Sequence, residues 1–265
     1  MRHVTAIAGR ELRSLFVSPV AYATLALFAL LAGFFFFVSV LGFSGQIAEA
    51  QQFRAFDYLR QLNLNDHVIA PFYGIMWIVI LFLVPGVTMG LFASEKANGT
   101  EELLMTSPIT IWELVIGKFL AAAVFVALLV GIVGLYTGIL FLYGDPELPK
   151  TLSGLLGLGL VALSYAAVGV FASSVTRNQL IAFFLALVLL LVLWMLSIVA
   201  DLGAAGGAIQ ANTTGSNLLR WLSSADRFEQ MVRGLVDTKD LAYFGFMIGT
   251  FLLLTKAAVE SVRWR

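Results

Sequence analysis

Six apolar stretches of 19 to 30 residues run through this chain: Val20–Phe43, Phe72–Phe92, Leu114–Tyr143, Leu152–Ser173, Leu180–Ala200 and Leu241–Val259. A helix crosses the hydrocarbon core of a bilayer with about 20 apolar residues, so each stretch is long enough to span. Isolated strands are excluded, because their backbone groups would go unpaired in lipid. A barrel is excluded too, because Phe34–Phe37 and Leu187–Leu193 are unbroken apolar runs and not alternating ones. The expected fold is an all-α integral membrane protein with six transmembrane helices. Composition agrees: 60% of the 265 residues are hydrophobic and 12% charged, with a mean hydropathy of +0.94. A soluble fold would carry that excess as large exposed patches.

The same composition narrows function. Lys+Arg and Asp+Glu both number 16, which leaves no basic field for nucleic acid. Cysteine is absent and there are two histidines, so neither thiolate chemistry nor a His-based metal site is expected. The first apolar run, 24 residues, exceeds the roughly 7–15 of a cleaved leader, so it is read as a retained span.

Six spans place both termini on one side. That side carries Arg2, Arg10, Arg13, Lys96, Lys118, Arg177, Lys256, Arg263 and Arg265, against seven Lys/Arg spread over longer loops on the other. Positive residues favour the cytoplasm, so both termini are expected there. Residues 1–19 read as a separate interfacial helix. Val4, Ile7, Ala8, Leu12, Leu15 and Phe16 recur at helical spacing, Arg10 and Arg13 face elsewhere, and Pro19 ends the helix before the transmembrane domain of residues 20–265. On the opposite side lie connections 44–71, 144–151 and 201–240. The first suggests a short amphipathic helix through Phe53, Phe56 and Leu59. The last suggests two short helices, from Leu218 to Leu235, resting on the outer surface or capping a pathway.

Proton-coupled carriers keep ionisable groups at mid-membrane. Here Glu113 and Glu260 touch only the span edges, and Lys118 and Lys256 lie close enough to the inner surface to snorkel. The phosphate-loop spacing fails, because Gly117–Lys118 is preceded by Trp at position 112. Uphill transport by this chain therefore needs energy from another subunit. Two glycine pairs, Gly134/Gly138 and Gly245/Gly249, suit close helix packing, and Pro85–Gly86 with Gly90 predicts a kink.

The most informative segment joins the second and third spans. Asn98–Gly99 is a turn, Thr100 an N-cap, and Glu101 and Glu102 suit a first helical turn. Leu103, Leu104 and Met105 follow, and Pro108 ends a two-turn helix over Thr100–Ser107. Thr110 and Glu113 form a capping box for the third span. By pattern alone this helix suits a partner's groove and a bare membrane surface equally well.

The run E-K-x-x-G-T-E-E-L-L-x-T-S-P-I-T-x-x-E-L-V-x-G-K, Glu95–Lys118, closely resembles the coupling-helix region of ABC-2 type exporter permeases. The segment R-E-L-R-S-L-F-x-S-P-x-A-Y, Arg10–Tyr22, resembles their entry helix, and Arg227–Leu241 resembles the outer helix before their last span. Within that family the likeness is strongest to the permeases of gliding motility and of nitrous-oxide-reductase maturation. The resemblance implies a bacterial inner-membrane permease subunit that works as a homo- or heterodimer. It implies separate cytoplasmic ATPase subunits that carry the ATP and magnesium, with no cofactor and no catalytic residue in this chain. It also implies, in many members, a periplasmic accessory protein. Glu95, Gly99, Thr100, Glu101, Leu103, Leu104 and Pro108 are then the ATPase contact. The alternatives from composition alone are an ATP-independent carrier or channel and a non-transporting membrane scaffold.

Overall fold

A computed structural model describes residues 2–59, 62–100, 109–205 and 223–262. Every element among them is helical. Helix α1 (Arg2–Val17) is followed by α2 (Pro19–Gln52) and the four-residue α3 (Phe56–Leu59). A π turn, Asn65–Ile69, opens α4 (Ala70–Thr88), which leads into α5 (Gly90–Ala97). Then come α6 (Ile111–Tyr143), α7 (Leu148–Val175), α8 (Gln179–Ala205), the short α9 (Ala225–Val232) and α10 (Thr238–Val262). Among the described residues six helices are long and apolar enough to cross a membrane, with Asn65–Ala97 counted as one rod. The chain is thus the six-span, all-α membrane protein expected from its apolar runs.

The helices overrun those runs. Ser18 is extended, its side chain accepts from the Val20 amide at 3.3 Å, and Pro19 opens α2. That helix then continues past Phe43 for nine more residues to Gln52. At 1.5 Å per residue it reaches about 51 Å, well beyond a 30 Å core. Most of the connection expected over 44–71 is therefore helix, and its amphipathic helix reduces to α3. Polar residues such as Gln46 and Glu49 hide this extension from an apolar count.

Helix α7 is the hub, with two-thirds of its apolar window (67%) buried against 11% in α2. It packs against α4, α5, α6, α8, α9 and α10. Its buried surface is built from small residues, among them Gly154, Gly157, Ala162, Ala166, Gly169 and Ala172. Small residues let helix backbones approach closely where no water drives association. A Cβ at Gly154 would lie 2.6 Å from the Tyr73 ring, and one at Gly157 2.9 Å from Met231. By contrast α2 shows Leu27, Leu30, Phe34, Phe37 and Leu41 outward, the surface a lipid-facing helix presents.

The glycine pairs marked in the sequence do not behave as pairs. Gly134 meets Leu155, but Gly138, Gly245 and Gly249 have nothing within 4 Å of an added Cβ. The tight positions are instead on α7, at Gly117 in α6 and at Gly33 in α2. Spacing alone cannot tell which side of a helix will meet a neighbour.

Gly169→Ala places a Cβ 2.0 Å from Thr88 Oγ1 and 2.9 Å from its Cβ, so α4 and α7 must part. We expect a loss of about 1–3 kcal/mol, seen as a lowered unfolding temperature in detergent. The same change at Gly138 should cost nothing, since its added methyl group meets no atom.

Candidate functional site

The segment singled out by sequence hangs between two stems, α5 and the start of α6. The α4–α5 rod is interrupted at Met89, one turn after Pro85, where a kink was expected. The interruption has a cause that sequence did not show. The buried Ser173 hydroxyl of α7 donates to the Met89 carbonyl at 2.8 Å and accepts from the amides of Phe92 at 2.9 Å and Ala93 at 3.0 Å. A side chain inserted into the helical ladder is a known origin of bends. Here it also fastens α5 to the end of α7.

The next residues, Glu95 and Lys96, hold α5 on different sides. Lys96 Nζ donates to the Ser174 carbonyl in the last turn of α7, where a cation complements the helix dipole. Glu95 meets Lys118, in the second turn of α6. Lys118 was expected to snorkel toward the inner surface, and this is corrected: its side chain is fully buried. Nζ lies 2.9 Å from Glu95 Oε1 and 3.1 Å from Glu11 Oε1, and it also donates to the Leu91 carbonyl. The ring of Phe92 lies 5.0 Å away. Lysine bends inward here because two carboxylates and a carbonyl replace its water shell.

Arg10 completes the arrangement from the exposed side, with Nη2 2.8 Å from Glu11 Oε1 and 3.1 Å from Glu95 Oε1. Its hydrogen bond to Glu11, with the charges of both carboxylates, raises the guanidinium pKa above its ordinary value. The four groups form a closed ring of alternating charge with no net excess. At the same level Gly117 lies against α1, and a Cβ there would sit 2.8 Å from Ile7 and 3.2 Å from the Val4 carbonyl. The N-terminal helix is therefore fitted to α6 by backbone shape as well as by charge.

Beyond the ring the chain turns away. Gly99 has φ +70°, a left-handed conformation in which side chains are strained. The Thr100 amide then donates to the Glu95 carbonyl at 3.0 Å, the six-to-one bond of a Schellman turn. The Thr100 hydroxyl donates to the same carbonyl at 3.3 Å. On the return side Thr110 caps α6 with the full capping box: its side chain accepts from the Glu113 amide, and Glu113 accepts from the Thr110 amide at 3.0 Å. Of the residues expected to make a contact, Glu95, Gly99 and Thr100 are thus placed. Glu101, Leu103, Leu104 and Pro108 lie outside the described residues, as does the helix expected over Thr100–Ser107 beyond Thr100.

At the opposite end lies the segment expected to rest on the outer surface or to cap a pathway. Helix α9 is pushed into the bundle: Phe228 and Met231 are buried, and the Ser153 hydroxyl of α7 donates to the Met231 carbonyl. Phe228 stacks 5.0 Å from Trp77, whose Nε1 donates to the Tyr165 hydroxyl at 2.7 Å. Arg227 pairs with Asp240 at 2.7 Å and lies 4.4 Å from the Tyr243 ring, which ties α9 to α10. A cavity of about 570 Å³ opens between α4 and α9, with Gly74, Trp77 and Phe228 in its wall and Asp66, Glu229 and Arg233 at its lining. The other expected outer positions, Leu218, Leu219, Trp221 and Leu222, lie outside the described residues.

Six spans, with an N-terminal helix fastened to α5 and α6 and a short helix wedged in before the last span, define a multi-pass membrane protein. A family model described as ABC-2 family transporter protein matches residues 5–260, and the chain belongs to that family. A search among curated proteins finds no match.

Ser173→Ala removes the hydroxyl that bridges Met89 to Phe92 and Ala93. The expected cost is about 1–3 kcal/mol, the usual penalty for buried polar groups that lose a partner. Amide exchange at Phe92 and Ala93 should rise with it, and exchange that stays at the parent rate would show that α5 closes its own ladder.

Proposed function

We propose that this chain is the membrane-spanning permease subunit of an ATP-binding-cassette exporter. It forms the substrate pathway as a dimer and is worked by separate cytoplasmic ATPase subunits that hold the ATP and magnesium. The observation that carries this reading is the build of the stalk. Two long helices are fastened together at Glu95 and Lys118, one ending in the turn at Gly99 and the other beginning at the Thr110 cap. A stalk with a stiff base can pass a push at its tip into two spans at once. Membership of the ABC-2 family and the lack of any phosphate-binding loop in the sequence support an external motor.

In this reading the ATPase contact is the segment around Thr100, Glu101, Leu103, Leu104 and Pro108, with Gly99 turning the chain and Glu95 at its base. Glu101 meets a basic groove residue, and Leu103 and Leu104 fill an apolar pocket. Both termini lie in the cytoplasm of a bacterial cell, and the protein sits in the inner membrane. Nucleotide-driven closure of the ATPases rocks the two permease halves between inward and outward states. The cavity between α4 and α9 then belongs to the outer mouth of the pathway. The gliding-motility and nitrous-oxide-reductase branch, with a periplasmic accessory protein, is the branch we assign.

The test is the double variant Glu101→Arg/Leu104→Asp, purified from membranes together with its ATPase subunit. Retention of the ATPase should fall at least about tenfold, as for loss of a central interface anchor. The isolated permease should unfold within a few degrees of the parent. An intact complex with undiminished ATP-driven activity would overturn the assignment. Gradient-driven flux through the permease alone in liposomes would favour an independent carrier.

A further inference from the structure

We propose that Lys118, Glu11 and Glu95 are positioning residues that make the N-terminal helix a working part of the coupling stalk. This rests on the reading of residues 98–110 as the segment that meets an ATPase. The three residues come from three separate pieces of chain: α1, α5 and α6. The Lys118 ammonium donates to Glu11 and to the Leu91 carbonyl and pairs with the Glu95 carboxylate at 2.9 Å. With partners on both helices, it holds α1 and α5 in register on α6. Gly117 removes the remaining freedom, since the α1 backbone and Ile7 occupy the space of its missing side chain. Arg10 closes the ring on the wet side and keeps it electrically neutral.

Simple adhesion would not need this arrangement. A buried ion pair holds helices no better than well-packed apolar residues of the same volume. What the ring adds is geometry, because apolar faces slide where hydrogen bonds to fixed acceptors do not. A displacement of the stalk tip therefore moves α5, the start of α6 and α1 as one block. The helix that runs into the first span through Ser18 and Pro19 is carried along.

The experiment uses the double variant Lys118→Met/Glu11→Gln, which removes one charge of each sign and leaves the Arg10–Glu95 pair intact. Hydrogen–deuterium exchange is followed by mass spectrometry in lipid nanodiscs, first on the permease alone. Residues 2–17 should exchange faster by about tenfold, while the hub helix over 158–168 keeps its parent rate. The permease–ATPase complex is then measured with and without ATP and vanadate. In the parent, nucleotide should change the exchange of residues 2–17. In the variant that response should vanish while ATP hydrolysis persists.

Parent-like exchange of residues 2–17 in the variant overturns the proposal. So does faster exchange throughout the hub, which would reduce the ring to general stability, and so does a retained nucleotide response. If the parent permease binds no ATPase, the functional reading above fails, and with it the coupling role; the first measurement still decides whether the ring holds α1.

Discussion

Helices in a bilayer gain little from hiding apolar surface, because lipid is as apolar as they are. What holds them together is close contact, and close contact requires one helix thin enough for many neighbours. In this chain that helix is α7. Its row of Gly, Ala and Ser lets Tyr73, Thr88 and Met231 reach its backbone, and six other helices gather on it as a result. The placement of α9 follows: Met231 and Phe228 sink beside Gly157 because nothing larger stands there. The placement of α5 follows too, since Ser173 at the end of the same helix supplies the hydroxyl that enters its ladder.

Among the described residues the buried charged groups, Lys118 and Asp240, sit toward the two ends of the bundle. At one end Lys118 is enclosed by Glu11, Glu95 and a carbonyl. At the other, the buried Asn65 side chain accepts from the Glu147 amide at 2.7 Å and donates to the Glu147 carbonyl at 3.2 Å and to Thr151 at 3.0 Å. Asn65 thereby satisfies backbone groups where α6 hands over to α7. Arg227 and Asp240 join α9 to α10 through a side-chain ion pair. Nearer the middle Trp77 donates to Tyr165 and Tyr136 to the Ala29 carbonyl, amid aromatic packing such as that of Phe36, Phe72 and Tyr136.

The large features were readable before any coordinates, because they depend on local physics. Span length is set by bilayer thickness, and a Thr-x-x-Glu pair caps a helix wherever one begins. Thr110 and Glu113 therefore appear as the sequence implies, as do the break at Pro19 and the turn at Gly99. What escaped depends on distant partners. Lys118 looked like a snorkelling residue because its carboxylates lie 107 and 23 positions away in sequence. Ser173 carries no local signal at all, and its role exists only because Met89 faces it. The glycine pairs misled for the same reason: Gly138 and Gly134 share a spacing, yet only one of them meets a neighbour. For α9 the sequence left a place on the surface and a cap over a pathway both open, because its amphipathic face suits lipid and protein alike.

The ring at the stalk base also bears on how the molecule is made. Arg10 and Glu11 are translated more than a hundred residues before Lys118. Until the third span has been made, Glu11 has Arg10 beside it but not the lysine that closes the ring. The fastening of the N-terminal helix is thus completed only by a residue from the third span, and a chain halted before residue 118 would lack the ring's lysine.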